Sequence, residues 1–255
     1  MHSTLSPRST GRRDGSDAEP VTGRRVRSQS EVRWPIAVAA ALTFGTGAID
    51  VVALTHLGGV FTSVITGNLV LTGFAIARAD TSLIAHTVAA IGGFMFGVAV
   101  GARVTGVRDP DAPRWPRPVT VALGVELLVL SAFTAGWEAT GAAPTGSAQL
   151  GLLAMAAISM GMQSAATRGL GVPVATTYLT GTLTGVIAAL SGSPRSRGDT
   201  AGVAALFSAV TGAVCGGALL AMVPAAVPLL ALAPLTVVLV AADQHHRRSA
   251  RGLVR

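Results

Sequence analysis

Residues 61–71 read FTSVITGNLVL, and whether this stretch crosses a membrane or turns back inside it decides the fold of everything around it. The setting is a membrane composition: half of the 255 residues are apolar, 12% are charged and 31 are glycine, with a mean hydropathy of +0.59. The apolar residues fall in eight blocks, at 34–57, 61–77, 83–102, 119–137, 150–166, 174–190, 203–223 and 227–241. A helix crosses the hydrocarbon with about 20 residues at 1.5 Å each. The second and sixth blocks are the weakest, at 17 residues apiece. Each also carries small polar residues near its middle, because the opening phrase returns as ATTYLTGTLTG at 175–185.

Charge separates the two topologies. All 19 basic residues are arginine, and short cytoplasmic loops are the ones enriched in such residues. Eight spans with the basic N-terminus inside would put Arg103, Arg108, Arg114 and Arg117, around the loop VTGVRDPDAPRWPRP, on the outside. If the second and sixth blocks instead enter and leave on one side, 18 of the 19 arginines are cytoplasmic and only Arg78 is outside. The expectation is therefore an all-α polytopic membrane helix bundle of six full spans plus two broken or re-entrant segments, in the inner (plasma) membrane, with both termini cytoplasmic. Its parts are a disordered basic tail at 1–33, a first membrane repeat at 34–137, a short outside loop at 138–148, a second repeat at 149–241 and a basic tail at 242–255. The first apolar run continues past the length of a signal-peptide core, so it reads as a membrane helix.

The halves match each other. An offset of 114 pairs Gly47 with Gly161, Thr62 with Thr176, Thr66 with Thr180, Gly67 with Gly181 and Leu69 with Leu183. An offset of 119 pairs Gly93 and Gly97 with Gly212 and Gly216. Three full spans per half invert the second half, which is the pattern in which interrupted helices mark a ligand site between repeats. Thr66, Gly67 and Asn68, with Thr180, Gly181 and Thr182, then either line such a site or serve helix packing. Thr177 and Tyr178, the latter the single tyrosine, stand beside the second phrase. Asn68 brings amide donors and an acceptor, so Asn68→Leu is expected to remove ligand binding while leaving folding intact. Asp50, Gln163 and Arg168 complete the substrate-binding candidates, and Asp50 and Glu126 are the proton-coupling candidates. Asp50 also fits an interfacial position, Arg168 a cytoplasmic anchor, and Glu126 a neutral hydrogen-bond donor between helices.

GAIDVVALTHLGGVFTSVITGNLVLTG at 47–73 and GMQSAATRGLGVPVATTYLTGTLTG at 161–185 together resemble the YoaK-like family of bacterial multi-pass membrane proteins. The resemblance implies an Asp at Asp50, Thr-Gly-Asn at Thr66 to Asn68, Gly-Met-Gln from Gly161 and Thr-Thr-Tyr followed by Thr-Gly-Thr from Thr176 to Thr182, and it implies a fold and no activity. Ser164 stands where the resemblance leads one to expect Asn. The function expected is transport of a small solute or ion, coupled to protons; a structural or signalling membrane protein is the alternative. The partners expected are the lipid bilayer and that solute. Nucleic acid is not expected, because the arginines lie in tails and loops. Cys215 is the single cysteine and the five histidines show no ligand spacing, so no metal, cofactor or enzymatic chemistry is expected.

Overall fold

Glycine and proline set where the helices stop. The computed structural model describes residues 29–106, 115–170, 179–192 and 197–252. Helix α1, Gln29–His56, ends because Gly58 and Gly59 take φ of +98° and +76°, a conformation side chains oppose. A non-helical segment at 57–64 leads into α2, Ile65–Ala77. Asp80 then caps α3, Thr81–Thr105, by accepting from the Leu83 amide at 3.0 Å. Helix α4, Arg117–Ala139, starts with a proline in its first turn. Helices α5, Gly146–Gly169, α6, Leu179–Leu190, and α7, Arg197–Met222, follow, and a 3-10 turn at Pro224–Ala226 leads to α8, Leu229–Gly252.

Six of these helices are long and apolar enough to cross a membrane, and α2 and α6 are not. At 13 and 12 residues the short helices reach only about 20 Å. The protein is thus an all-α polytopic membrane bundle of six spans and two shorter helices. Large apolar side chains such as Val70, Phe74, Met95, Phe96, Leu128 and Phe207 face outward, as lipid contact requires. Two helices run beyond the apolar blocks. Gln29 to Arg33, assigned to the tail, are helical, and α8 continues well past 241. An established helix extends into water because each added residue closes a bond without a new nucleus, and Arg247 pairs with Asp243 one turn back at 2.7 Å.

Side-chain ties identify which helix ends lie together. Gln149 donates to the carbonyl of His56 at 2.8 Å and its Oε1 lies 3.1 Å from His86 Nε2. The His56 ring sits edge-on to Trp137, whose Nε1 donates to the Pro224 carbonyl at 2.9 Å. The ends of α1, α4 and α7 therefore share one end of the bundle with the starts of α3, α5 and α8. At the other end Trp34 meets Trp115, Trp115 donates to Thr120 at 2.7 Å, and Thr120 lies 3.5 Å from His246. Neighbouring spans alternate in direction, and the segment holding α2 starts and finishes at the same end. Arg103, Arg117, Arg168 and Arg247 gather at the Trp34–Trp115 end, whereas Arg78 lies at the opposite end.

Packing is closest between α3 and α5 and between α1 and α7, with α4 against α5, α8 against α1, α2 on α3 and α6 on α7. Backbones touch where glycine removes the side chain. A Cβ on Gly97 would fall on the carbonyl of Ile158, and one on Gly212 on the carbonyl of Phe44. Helix α5 occupies the middle of the bundle: every residue from Ser159 to Thr167 is buried.

Candidate functional site

A non-helical backbone within a membrane bundle must find partners for its N–H and C=O groups in the protein itself. The 57–64 segment finds them in two side chains. Asp50 Oδ1, on α1, accepts from the Thr62 amide at 2.7 Å, the Thr62 hydroxyl at 2.7 Å and the Ser63 amide at 3.0 Å, while Oδ2 accepts from the Ser63 hydroxyl. Asn68, on the first turn of α2, closes on Phe61 from both sides: its Oδ1 accepts from the Phe61 amide at 3.0 Å and its Nδ2 donates to the Phe61 carbonyl at 2.6 Å. Thr62 and Asn68 are fully buried. The 57–64 segment is therefore a built helix break, pinned to α1 by a carboxylate and to α2 by a carboxamide, whereas Thr66 and Gly67 lie within helix α2.

This changes the expectation for Asn68. Its amide is engaged by the break's own backbone, so Asn68→Leu orphans one buried N–H and one buried C=O. The expected cost is about 2–4 kcal/mol of stability in unfolding of the purified protein. Gly67→Ala serves as the contrast: an added Cβ meets only Val64 and Phe61 at 3.4 Å or more, so it is expected to fold as well as the parent.

The remaining candidates divide. Thr66, Thr180 and Gly181 are exposed, and Gly67 and Thr182 are half-buried. Thr182 lies against Gly202 where α6 packs on α7. The two phrases rest on different helices, α2 on α3 and α6 on α7. Thr177 and Tyr178 fall outside the described residues. Arg168 is exposed in the last turn of α5, in keeping with an anchoring position.

Gln163 and Glu126, by contrast, are brought together in the core. Gln163 Nε2 donates to Glu126 Oε1 at 3.0 Å, and Thr46 lies on the other side, its hydroxyl 2.8 Å from Gln163 Oε1. All three are buried, Glu126 completely. Glu126 Oε2 and Ser159 Oγ are buried with no hydrogen-bond partner among the described residues. Asp50 lies one helical turn beyond Thr46 on the same helix, so the break and the core chain share α1. Thr46 and Ser159 were not among the expected residues. A signal for them exists in the sequence, since Thr46 and Asp50, and Ser159, Gln163 and Thr167, recur at four-residue spacing, a polar stripe on each helix.

A family model described as a protein of unknown function (DUF1275) matches residues 38–241, a range that includes every candidate above. A Bacillus subtilis (strain 168) protein named UPF0700 transmembrane protein YoaK is 33% identical over 152 residues. That match covers 59% of this chain and 65% of the relative, just under two thirds of its length. No solved structure matches.

Proposed function

This chain belongs to the DUF1275 family, and we propose that it transports a small solute or ion across the plasma membrane by alternating access between two inverted halves, with the proton as coupling ion. The observation that carries this reading is a reciprocity of contacts. Gly47 lies on Ala209 as Gly161 lies on Phe94; Gly212 lies on Phe44 as Gly97 lies on Ile158; Gly216 lies on Ala48 as Gly101 lies on Met162. One offset, 114, relates α1 to α5 throughout, and one offset, 115, relates α3 to α7. Gly97 therefore answers to Gly212 and Gly101 to Gly216, one helical turn away from the pairing at 119. Equivalent helices run in opposite directions, the arrangement that lets one half rock against the other around a fixed site. The gathering of arginines at one end supports placing that end, and both termini, in the cytoplasm.

Saturation of Asp50 and Asn68 by the break's own groups favours the second reading, a structural or signalling membrane protein. Flux separates the two. Protein reconstituted in vesicles enclosing a pH-sensitive dye is offered amino acids, sugars, organic acids and monovalent cations in turn. One class is expected to collapse an imposed pH gradient faster than in protein-free vesicles, with the proton movement lost in Glu126→Gln. The second reading expects no flux with any class under either gradient polarity.

A further inference from the structure

The core chain has more hydrogen-bond contacts than an ionised Glu126 has protons to fill. Three contacts lie in series: Leu42 carbonyl to Thr46 hydroxyl at 3.1 Å, Thr46 hydroxyl to Gln163 amide at 2.8 Å, and Gln163 amide to Glu126 carboxyl at 3.0 Å. The Thr46 hydroxyl has one proton and two oxygen acceptors within reach, Leu42 O and Gln163 Oε1. With a carboxylate at Glu126 the Gln163 N–H must point at it, Thr46 must donate to Gln163, and the Leu42 contact is left empty. A carboxamide turned end for end occupies the same space. If Glu126 holds a proton, its O–H donates to Gln163 Oε1, the Gln163 N–H donates to Thr46, and Thr46 donates to Leu42. All three contacts are then filled.

We propose that Glu126 is a proton-binding site, and that its occupancy sets the direction of the hydrogen-bond chain Glu126–Gln163–Thr46 that links α4, α5 and α1. Two further observations support it. Glu126 Oε2 is buried without a partner among the described residues, an arrangement far costlier for an ion than for the carbonyl oxygen of a neutral acid. Among the described residues no opposite charge faces the carboxyl. The titratable side chains described on α4 and on the helices packed against it lie toward the helix ends: Arg117 and Glu138 on α4, His86 and Arg103 on α3, Arg168 on α5, and Asp243, His246 and Arg247 on α8. Arg117 and Glu138 are about 14 and 18 Å away along the helix axis. Asp50, on α1, is occupied by Thr62 and Ser63. The proton comes from bulk water and returns to it; no other bond is made or broken.

The inference rests on the proton-coupled reading for its purpose, but its test needs no solute. Protein in nanodiscs, labelled with 13C at glutamate carboxyls, is followed by infrared difference spectroscopy as pH is raised. A protonated-carboxyl band is expected to disappear with a single midpoint, to move together with a side-chain amide band, and to be absent in Glu126→Gln. Thr46→Val is the second variant, isosteric and still folding-competent by size. It removes two bonds from the protonated chain and one from the ionised chain, so the midpoint is expected to fall by about one pH unit, roughly a tenfold loss of proton affinity. A band that persists in Glu126→Gln, or a midpoint that Thr46→Val leaves in place, overturns the proposal. So does a midpoint that follows sodium concentration at constant ionic strength, which would make the ligand a metal cation. A normal titration in a protein that moves no solute would remove the transport reading and leave this one standing.

Discussion

Asp50→Ala is expected to destabilise the folded bundle by roughly 4 kcal/mol, from two backbone N–H groups orphaned at about 1–3 kcal/mol each plus smaller losses at two hydroxyls. The amides are those of Thr62 and Ser63, both held by Oδ1. Asp50→Asn is the informative companion. It keeps that oxygen and its three bonds, and the Ser63 hydroxyl can rotate to accept from the new amide, so only the charge assistance is lost, about 1–2 kcal/mol. Unfolding of the purified protein measures both, and hydrogen exchange at the two amides should accelerate in the alanine variant well before global unfolding. Equal losses in the two variants would mean that Asp50 acts through its charge and not by pinning the break.

Gly212→Ala is expected to cost about 3 kcal/mol, at the upper end of the range for overpacking. The added Cβ lands on the carbonyl of Phe44, also close to its C and Cα atoms. A helical backbone cannot swing aside as a side chain does, so α1 and α7 must separate along their seam. Gly97→Ala forces the same against Ile158 and should cost a similar amount. Gly73→Ala is the control: nothing lies within 4 Å of its added Cβ, and helix propensity predicts a gain of about 0.5–1 kcal/mol. The comparison is read from unfolding midpoints in one detergent. Gly212→Ala as stable as the parent would contradict the close seam.

Six spans and two short helices were legible because length and arginine placement are properties of the chain order, and the fold cannot rearrange them. In the proposed relation between the halves, the ungapped offset of 114 agrees with the glycine contacts of α1 and α5, whereas glycines recurring every four residues in 93–101 let the sequence pair α3 with α7 at 119 where the contacts favour 115. Where the two Thr-Gly phrases sit was not legible, because α2 and α6 each rest on the helix that follows, a contact that the spacing of the phrases does not encode. The tie from Asp50 to Thr62 and Ser63 was beyond the sequence for a different reason. It exists only because 57–64 folds back along α1, a turn set by the positive φ of Gly58 and Gly59. Glu126 and Gln163 were each visible as polar residues in apolar helices, and their pairing was not, since 37 residues separate them.

Alternating access as proposed would open the polar stripe of α5, Ser159, Gln163 and Thr167, to each side of the membrane in turn. Ser159 gives the most direct test, because it is fully buried, has no hydrogen-bond partner among the described residues, and accepts cysteine with little change in volume. In a Cys215→Ser background, Ser159→Cys in sealed vesicles is exposed to a small membrane-impermeant thiol reagent from one face at a time, with Ala156→Cys as a buried apolar comparison. Alternating access expects Ser159→Cys to react from either face while Ala156→Cys stays unmodified. Reaction from neither face, or from one face alone under both gradient polarities, would contradict alternating access.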